Sequence, residues 1–567
     1  MTAPTRVRRT ATLIVTALVA GLLASLCAGA SWGAAPRPKG ASWDSRSATS
    51  ASATKRGTLG RHVRARRTNT RLHGGTSGGT SGTSTPITNY AKNATDMGSL
   101  YNTTLITGAR DYWRAGYTGK GIDVAVIDTG VSPVEGLNIS GKVFNGADLS
   151  FESQAGNLRY LDTYGHGTHM AGIIAGRGPK AVAGQYVSDK TNFLGMAPDA
   201  RLLSIKVAES NGAADVSQVI AAIDWLVQHR KDNGLNVRVL CLAYGTDSDQ
   251  SYLTDPLAYA VEQAWKAGIV VVAAAGNTGF AKQGSLTNPA YDPFVVAVGA
   301  IDPKGTVTKS DDVVASFSSV GLTGMGGIGG SRPVDVVAPG KSVVSLRVPN
   351  SYVDANYSST GGVSAGLFRG SGTSQAAAVV AGAAALVLQK QPTLTPAQVK
   401  RLLRDSATRL STGSTAEQGA GEMDLASALK TPTGSAPENY EPSVGTGSLE
   451  LSRGSVHLSN NGVELRGEQD IFGKVFDSPL MAALEATASS WSGGDWNGST
   501  WTGSSWSGSS WSASSWSASS WSGSSWSASS WSASSWSSSS WSSSSWSASS
   551  WSASSWSASS WSSSSWS

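Results

Sequence analysis

The chain has 567 residues and a formal net charge of +6, with 14% charged and 40% hydrophobic residues, two cysteines and 21 tryptophans. The basic excess sits in the leader, where ten Lys/Arg face one acid between Arg37 and Arg71 and three more arginines lie within the first nine residues. The rest is net acidic and lacks the basic footprint that nucleic-acid binding needs. Cys27 falls in a segment expected to be removed, so neither an internal disulfide nor a cysteine-based metal site is expected.

Residues 1–30 open with three arginines, continue as an apolar run from Ala11 to Ala30 and end in small residues. That is the pattern of a secretory signal peptide. An uncleaved anchor is the alternative, because the run is nearly long enough to span a bilayer. Either way the rest of the chain is exported, giving a secreted, extracellular protein or one retained at the cell surface. Residues 31–86, rich in Ser, Thr, Gly and Arg with few large apolar side chains, bury too little surface to offset chain entropy. They read as a disordered basic leader or a removable pro-segment.

From 87 to 430, β-branched runs alternate with amphipathic helices, which predicts one α/β domain with a doubly wound, mainly parallel sheet and helices on both faces. Strands are predicted at 122–128, 201–207, 237–243, 269–275 and 294–298, and helices at 216–228, 256–266, 374–390 and 396–406, the last behind a Thr395 cap. Such sheets bind ligands beyond the carboxyl ends of their strands. Residues 431–490 read as a linker with a β-hairpin around Asn461-Gly462. In residues 491–567 Trp recurs every five positions from Trp491 to Trp566. Five matches neither the strand nor the helix period, so no shared face for the indoles is expected. The default for this tail is disorder, and docking on cell-wall glycan or self-association are the functional alternatives.

Ser374 lies in Gly370-Ser-Gly-Thr-Ser-Gln-Ala-Ala-Ala378, where a glycine-bracketed turn meets an Ala-rich helix. The first helical turn aims free N–H groups and the positive end of the helix dipole at whatever bonds there. On this stretch alone an ordinary N-cap serine is the better reading, so partners must be found elsewhere. Asp128 ends the first clear strand and precedes Thr129-Gly130, a position that also suits a turn former. His166 lies in Tyr164-Gly-His-Gly-Thr-His169, with glycines on both sides and a helix following. A His166–His169 metal pair is set aside because no acid completes the ligand set at helical spacing. Asn277 follows Ala273-Ala-Ala-Gly276 just past a strand edge, where its amide can donate to a developing oxyanion. Asp, His and Ser in that chain order form one of the three arrangements of serine hydrolases.

Asp128-Thr-Gly130, Gly165-His-Gly-Thr-His169 with Met170-Ala-Gly172, Ala275-Gly-Asn277, Asp335-Val-Val-Ala-Pro-Gly340 and Gly372-Thr-Ser374 occur in the order found in subtilisin-like serine proteases, the subtilases, and the chain resembles that family over about three-fifths of its length. The resemblance implies peptide-bond hydrolysis through an acyl-enzyme, with Asp128, His166 and Ser374 as triad and Asn277 as oxyanion donor. It also implies that an extended peptide lies between two edges, Ser210–Ala213 with Gly212 and Ala213, and Leu242–Gly245 with Tyr244 and Gly245. Ala274, Ala275 and Gly276 would then line a small apolar wall favouring large apolar or aromatic side chains before the cut. Gln375-Ala-Ala-Ala378 stands where Met-Ala-x-Pro is commonest, and Ala243 where Ser is usual. The segment 177–192 differs from the family's calcium loop, so no cofactor is required for the chemistry and a structural calcium stays unassigned. A monomer acting on peptide or protein substrates is expected. A surface-binding protein with an inert protease-like domain, acting through the tail, is the competing reading.

Overall fold

The computed structural model describes residues 96–154, 157–279, 286–321, 332–460, 463–492 and 494–501, all within one compact unit. The signal-peptide and leader assignments, and the tail beyond 501, lie outside the described residues.

Two short helices, α1 (Leu100–Ile106) and α2 (Ala109–Arg114), precede β1 (Asp123–Asp128), β2 (Val143–Asp148), α3 (His166–Ala175), β3 (Arg201–Lys206), α4 (Val216–His229), β4 (Val237–Leu242), α5 (Pro256–Lys266), β5 (Val270–Ala274) and β6 (Val296–Asp302). There follow β7 (Val313–Val314), β8 (Val336–Pro339), β9 (Val343–Leu346), α6 (Tyr352–Gly361), β10 (Leu367–Gly370), α7 (Thr373–Lys390), α8 (Pro396–Asp405), α9 (Thr415–Gln418) and α10 (Leu425–Ala428). The sheet runs β2-β3-β1-β4-β5-β6, with β8 parallel and β7 antiparallel to β6. Every other pairing in it is parallel. Strands β1, β4 and β5 are apolar almost throughout, as expected where helices cover both faces.

The connection leaving β1 runs to one side, toward β2, and that leaving β4 runs to the other, toward β5, so the direction of winding switches between β1 and β4. The carboxyl ends of those two strands flank the crevice where such sheets take ligands. Across it lies α7, packed on β4, β5, β6, β8 and α3. It is buried from Thr373 to Leu388 apart from the partly exposed Ser374. Each fully buried Val or Leu of this helix contributes about 1.5–3 kcal/mol relative to exposure. Polar atoms near its start are therefore held by a rigid core rather than by a loop.

Element boundaries agree with the expected ones to within a residue or two, except that the fifth predicted strand, 294–298, is displaced to Val296–Asp302. Ser374 does not cap α7. The cap is Gly372, which makes no side-chain bond, and Ser374 is the second helical residue.

Downstream of 430 the structure departs from the expected linker. Residues 443–501 lie against the domain through α11 (Leu449–Arg453), a two-residue ladder of β11 (Ser459–Asn460) with β12 (Val463–Glu464), and α12 (Ser478–Ala486), which packs on α5. Of the predicted hairpin, the described residues keep only this two-residue ladder. The hairpin's first half is helical because Ser448 accepts from the Leu451 N–H and caps α11.

The expectation that the indoles share no face also fails for the first three. Strands β13 (Trp491–Ser492), β14 (Asp495–Trp496) and β15 (Ser499–Thr500) form an antiparallel meander. The chain reverses within each five-residue repeat, so the repeat matches strand plus turn rather than any straight period. Trp491, Trp496 and Trp501 come to lie with ring centroids 6.1–6.4 Å apart. Trp491 donates to the Ala221 carbonyl at 3.1 Å and Trp496 to Asp224 at 3.1 Å, pinning the meander to α4.

Candidate active site

Asp128 is the last residue of β1 and His166 the first of α3. They meet because Gly167 lets the helix start press on the strand end. A Cβ there would lie 2.2 Å from the Gly130 carbonyl oxygen and 3.2 Å from the Asp128 Cβ. Gly165 supplies the left-handed turn, φ 108°, that swings the chain into the helix. His166 Nδ1 lies 2.8 Å from Asp128 Oδ1 and 2.9 Å from Oδ2, and Oδ1 also accepts from the Thr129 N–H at 2.7 Å. Asp128 is buried, while the imidazole is 25% exposed.

Burial works against protonating His166, but the charge of Asp128 and its hydrogen bond, with Asp162 adding, outweigh it and hold the imidazole pKa above 6.5. Its neighbour His169 goes the other way. Burial, reinforced by His166, lowers it to about 4. His169 donates its Nε2–H to the Phe368 carbonyl at 3.1 Å, so the two histidines serve different parts of the fold.

Asp162 and Thr129 are functional supports that the sequence reading missed. Asp162 accepts from Thr129 Oγ1 at 2.7 Å, Gly165 N at 2.6 Å and Thr168 N at 2.7 Å, and Thr129 Oγ1 accepts from Gly167 N at 2.9 Å. This network ties the end of β1 to the first turn of α3. The signal was an acid four residues before His166, where a helix beginning leaves N–H groups without partners.

Ser374 Oγ lies 3.4 Å from the Ala243 carbonyl, just beyond β4. Its neighbour Gln375 lines an open cavity together with His166, Tyr164, Leu346, Val353 and Phe368. Asn277, exposed beyond β5, accepts through Oδ1 from Thr373 N at 2.9 Å and Thr373 Oγ1 at 3.1 Å. With its carbonyl engaged, the amide N–H2 is left for another acceptor. Thr373, also missed, further accepts from Gly276 N at 3.1 Å, so one hydroxyl fixes the β5 end to the start of α7.

Gly212 and Ala213 lie on a turn closed by Gly212 N to Glu209 O at 2.9 Å, and the Tyr164 ring covers Gly212 so closely that a Cβ would sit 2.9 Å from it. Tyr164 stacks in turn on Tyr352, 5.6 Å between centroids. Tyr244 and Gly245 follow β4, where a Cβ on Gly245 would meet Thr287 Oγ1 at 2.4 Å. Ala274 and Ala275 are buried and, with Gly276, are bracketed by Thr287 and Ser319. Thr287 N donates to Ala275 O and Ser319 N to Gly276 O, each at 3.0 Å.

In the 177–192 segment the one carboxylate, Asp189, is already engaged, and two of the segment's side chains bond Asp199 beyond it. Asp199 takes the Arg177 guanidinium and, at 2.7 Å, the Tyr186 hydroxyl, and Asp189 accepts from Thr191 N and Asn192 N at 2.8 and 2.9 Å. No group of three metal-ligating side chains gathers among the described residues.

Residues 119–421 match the model of the subtilase family, peptidase family S8. The chain belongs to the subtilase family. Over 296 residues it is 39% identical to serine protease AprX of Bacillus subtilis (strain 168), a match covering 52% of this chain and 62% of AprX. It is 37% identical over 296 residues to subtilisin DY of Bacillus licheniformis, covering 52% of this chain and 86% of that one. With subtilisin Savinase of Lederbergia lenta the identity is 34% over 315 residues, 56% of this chain and 93% of the relative. The segment 443–501 lies wholly outside the family match.

Proposed function

We propose that this subtilase is a secreted serine endopeptidase that cleaves extended peptides through an acyl-enzyme formed on Ser374. The observation that carries the reading is the Asp128–His166 contact, 2.8 Å, at the rim of the cavity that Gln375, next to Ser374, also lines. In this mechanism His166 takes the Ser374 proton as the oxygen attacks the substrate carbonyl. Asp128 holds the tautomer with Nε2 free and stabilises the imidazolium. The carbonyl oxygen gathers negative charge as it becomes tetrahedral, and the free amide of Asn277 and the Ser374 N–H donate to it. His166 then passes the proton to the leaving amine, and water repeats the sequence on the ester.

The peptide lies as an added strand between Ser210–Ala213 and Leu242–Gly245, with the side chain before the cut against Ala274–Gly276. The small apolar character of that wall favours large apolar or aromatic residues there. Two of the first three indoles of the repeat, Trp496 and Trp501, are buried, and Trp496 is bonded within the fold, so these residues are not offered to an external ligand. That weighs against a protein whose sole task is surface docking through this segment. The experiment compares the mature protein with Ser374→Ala on a denatured protein substrate. A loss of roughly 10⁶-fold in kcat is expected, and equal cleavage by both would remove the enzyme reading.

A further inference from the structure

Both substrate edges are tied from behind by one element outside the family match. Arg453, at the end of α11, is fully buried, and its Nε donates to Asp215 Oδ2 at 2.7 Å. The other guanidinium N–H groups reach the Gly467 carbonyl at 2.6 Å, Glu450 at 3.2 Å and the Gln469 carbonyl. Asp215 stands two residues after Ala213 and caps α4, accepting from Ser217 N at 2.9 Å, while its own N–H donates to Gln218 at 2.7 Å. Wherever Arg453 holds this carboxylate, it holds the end of the first substrate edge.

The neighbouring residues of α11 grip the second edge. Thr246 Oγ1, immediately after Gly245, donates to the Ser452 carbonyl at 2.6 Å, and Asn288 donates to Ser452 Oγ at 3.2 Å. Ser455 N and Oγ donate to the two oxygens of Asp247 at 2.6 and 2.7 Å. The Tyr244 hydroxyl is buried without a hydrogen-bond partner and feels the charges of both Asp215 and Arg453. The short helix α11 and Ser455 just beyond it thus bridge Asp215 and residues 246–247, each next to one of the two walls between which the peptide would lie.

We propose that Arg453 is a positioning residue for peptide binding, setting the spacing of the Ser210–Ala213 and Leu242–Gly245 edges, so that the segment 443–469 is a working part of the peptidase. Arg453 touches no substrate; it acts through Asp215. The proposal rests on the endopeptidase reading above. It predicts that a substrate contacting several residues of both edges depends on Arg453 and that one contacting only the triad and the oxyanion donor does not.

The test uses the full mature chain with a peptide substrate of six residues before the cut and a single-residue ester. Arg453→Met is expected to raise KM for the peptide about tenfold, with kcat and ester hydrolysis within about threefold, the signature of lost uniform binding. Arg453→Lys, which keeps a charge for Asp215, is expected to recover part of the loss. Unchanged KM for the peptide, or equal loss on peptide and ester, would overturn the proposal. Should Arg453→Met fail to fold, Thr246→Val, which cuts the other tether with little change of shape, takes the same two measurements with the same criteria. Wild-type protein inert towards the ester would sink the peptidase reading itself.

Discussion

At the residue scale the chemistry rests on two short contacts of Asp128, to the Thr129 N–H at 2.7 Å and to the His166 imidazole at 2.8 Å. Asp128 is buried and fixed by the Thr129 N–H, so the His166 imidazole has a charged partner without an alternative. The His166 pKa lies above 6.5, and a general base must be neutral. The expected outcome is a kcat/KM profile that rises with pH through an apparent pKa above 6.5. Asp128→Asn should lose about 10⁴-fold in kcat, because the amide favours the wrong tautomer. Asn277→Ala should lose about 10²- to 10³-fold in kcat with little change in KM, the loss expected for one oxyanion donor. Steady-state kinetics between pH 5 and 10 check all three. The family motifs made Asp128, His166 and Asn277 legible. Thr373 was not, because its partners Gly276 N and Asn277 Oδ1 lie 97 and 96 positions away, and Asp162 left only the local signal of an acid just before a helix start, without its link to Thr129, 33 positions away.

Single elements were legible where their period was clean. The apolar run of α7 and the capped, amphipathic α8 fall where the sequence places them, with Thr395 capping α8 through Gln398 N. Helix α6 was missed because Tyr352–Gly361 is rich in Ser, Asn and Gly and buries little. It forms because Ser351 caps it and because Tyr352 N and Val353 N pair with the Thr163 and Tyr164 carbonyls, next to His166. The Trp meander was missed for the reverse reason, since the repeat was measured against straight elements. Its stability has a pH signature. Burial raises the Asp224 carboxyl to about 7 against donation from Trp496, with Glu485 nearby pushed up in the same way. The folded state holds these protons more tightly than the unfolded chain does, so the stability that Asp224 contributes is fully present below the ordinary carboxylate range and is lost as pH rises from about 4 to about 7. Thermal unfolding across that range should show the fall, and Asp224→Asn should flatten it. Trp496→Ala should destabilise the protein by about 3–5 kcal/mol, read from urea midpoints. A loss under 1 kcal/mol would mean that the meander is not docked in solution.

The doubly wound order β2-β3-β1-β4-β5-β6 brings Asp128, Ala243 and Gly276 to one edge, and α7 delivers Ser374 to the same edge from a buried core. The sequence read this domain well because parallel strands covered on both faces are continuous apolar runs. It read the region after 430 poorly because Ser- and Gly-rich segments with few large apolar residues look like linkers. Their order here comes from long-range polar contacts such as Arg453 to Asp215, 238 positions apart. The central claim is that Ser374 is the nucleophile activated by His166, and the most direct measurement is peptide mapping by mass spectrometry after treatment of the mature protein with a fluorophosphonate. The account predicts a single phosphonyl adduct on Ser374 that is lost in His166→Ala. An adduct on another residue, or labelling of Ser374 undiminished in His166→Ala, would contradict it.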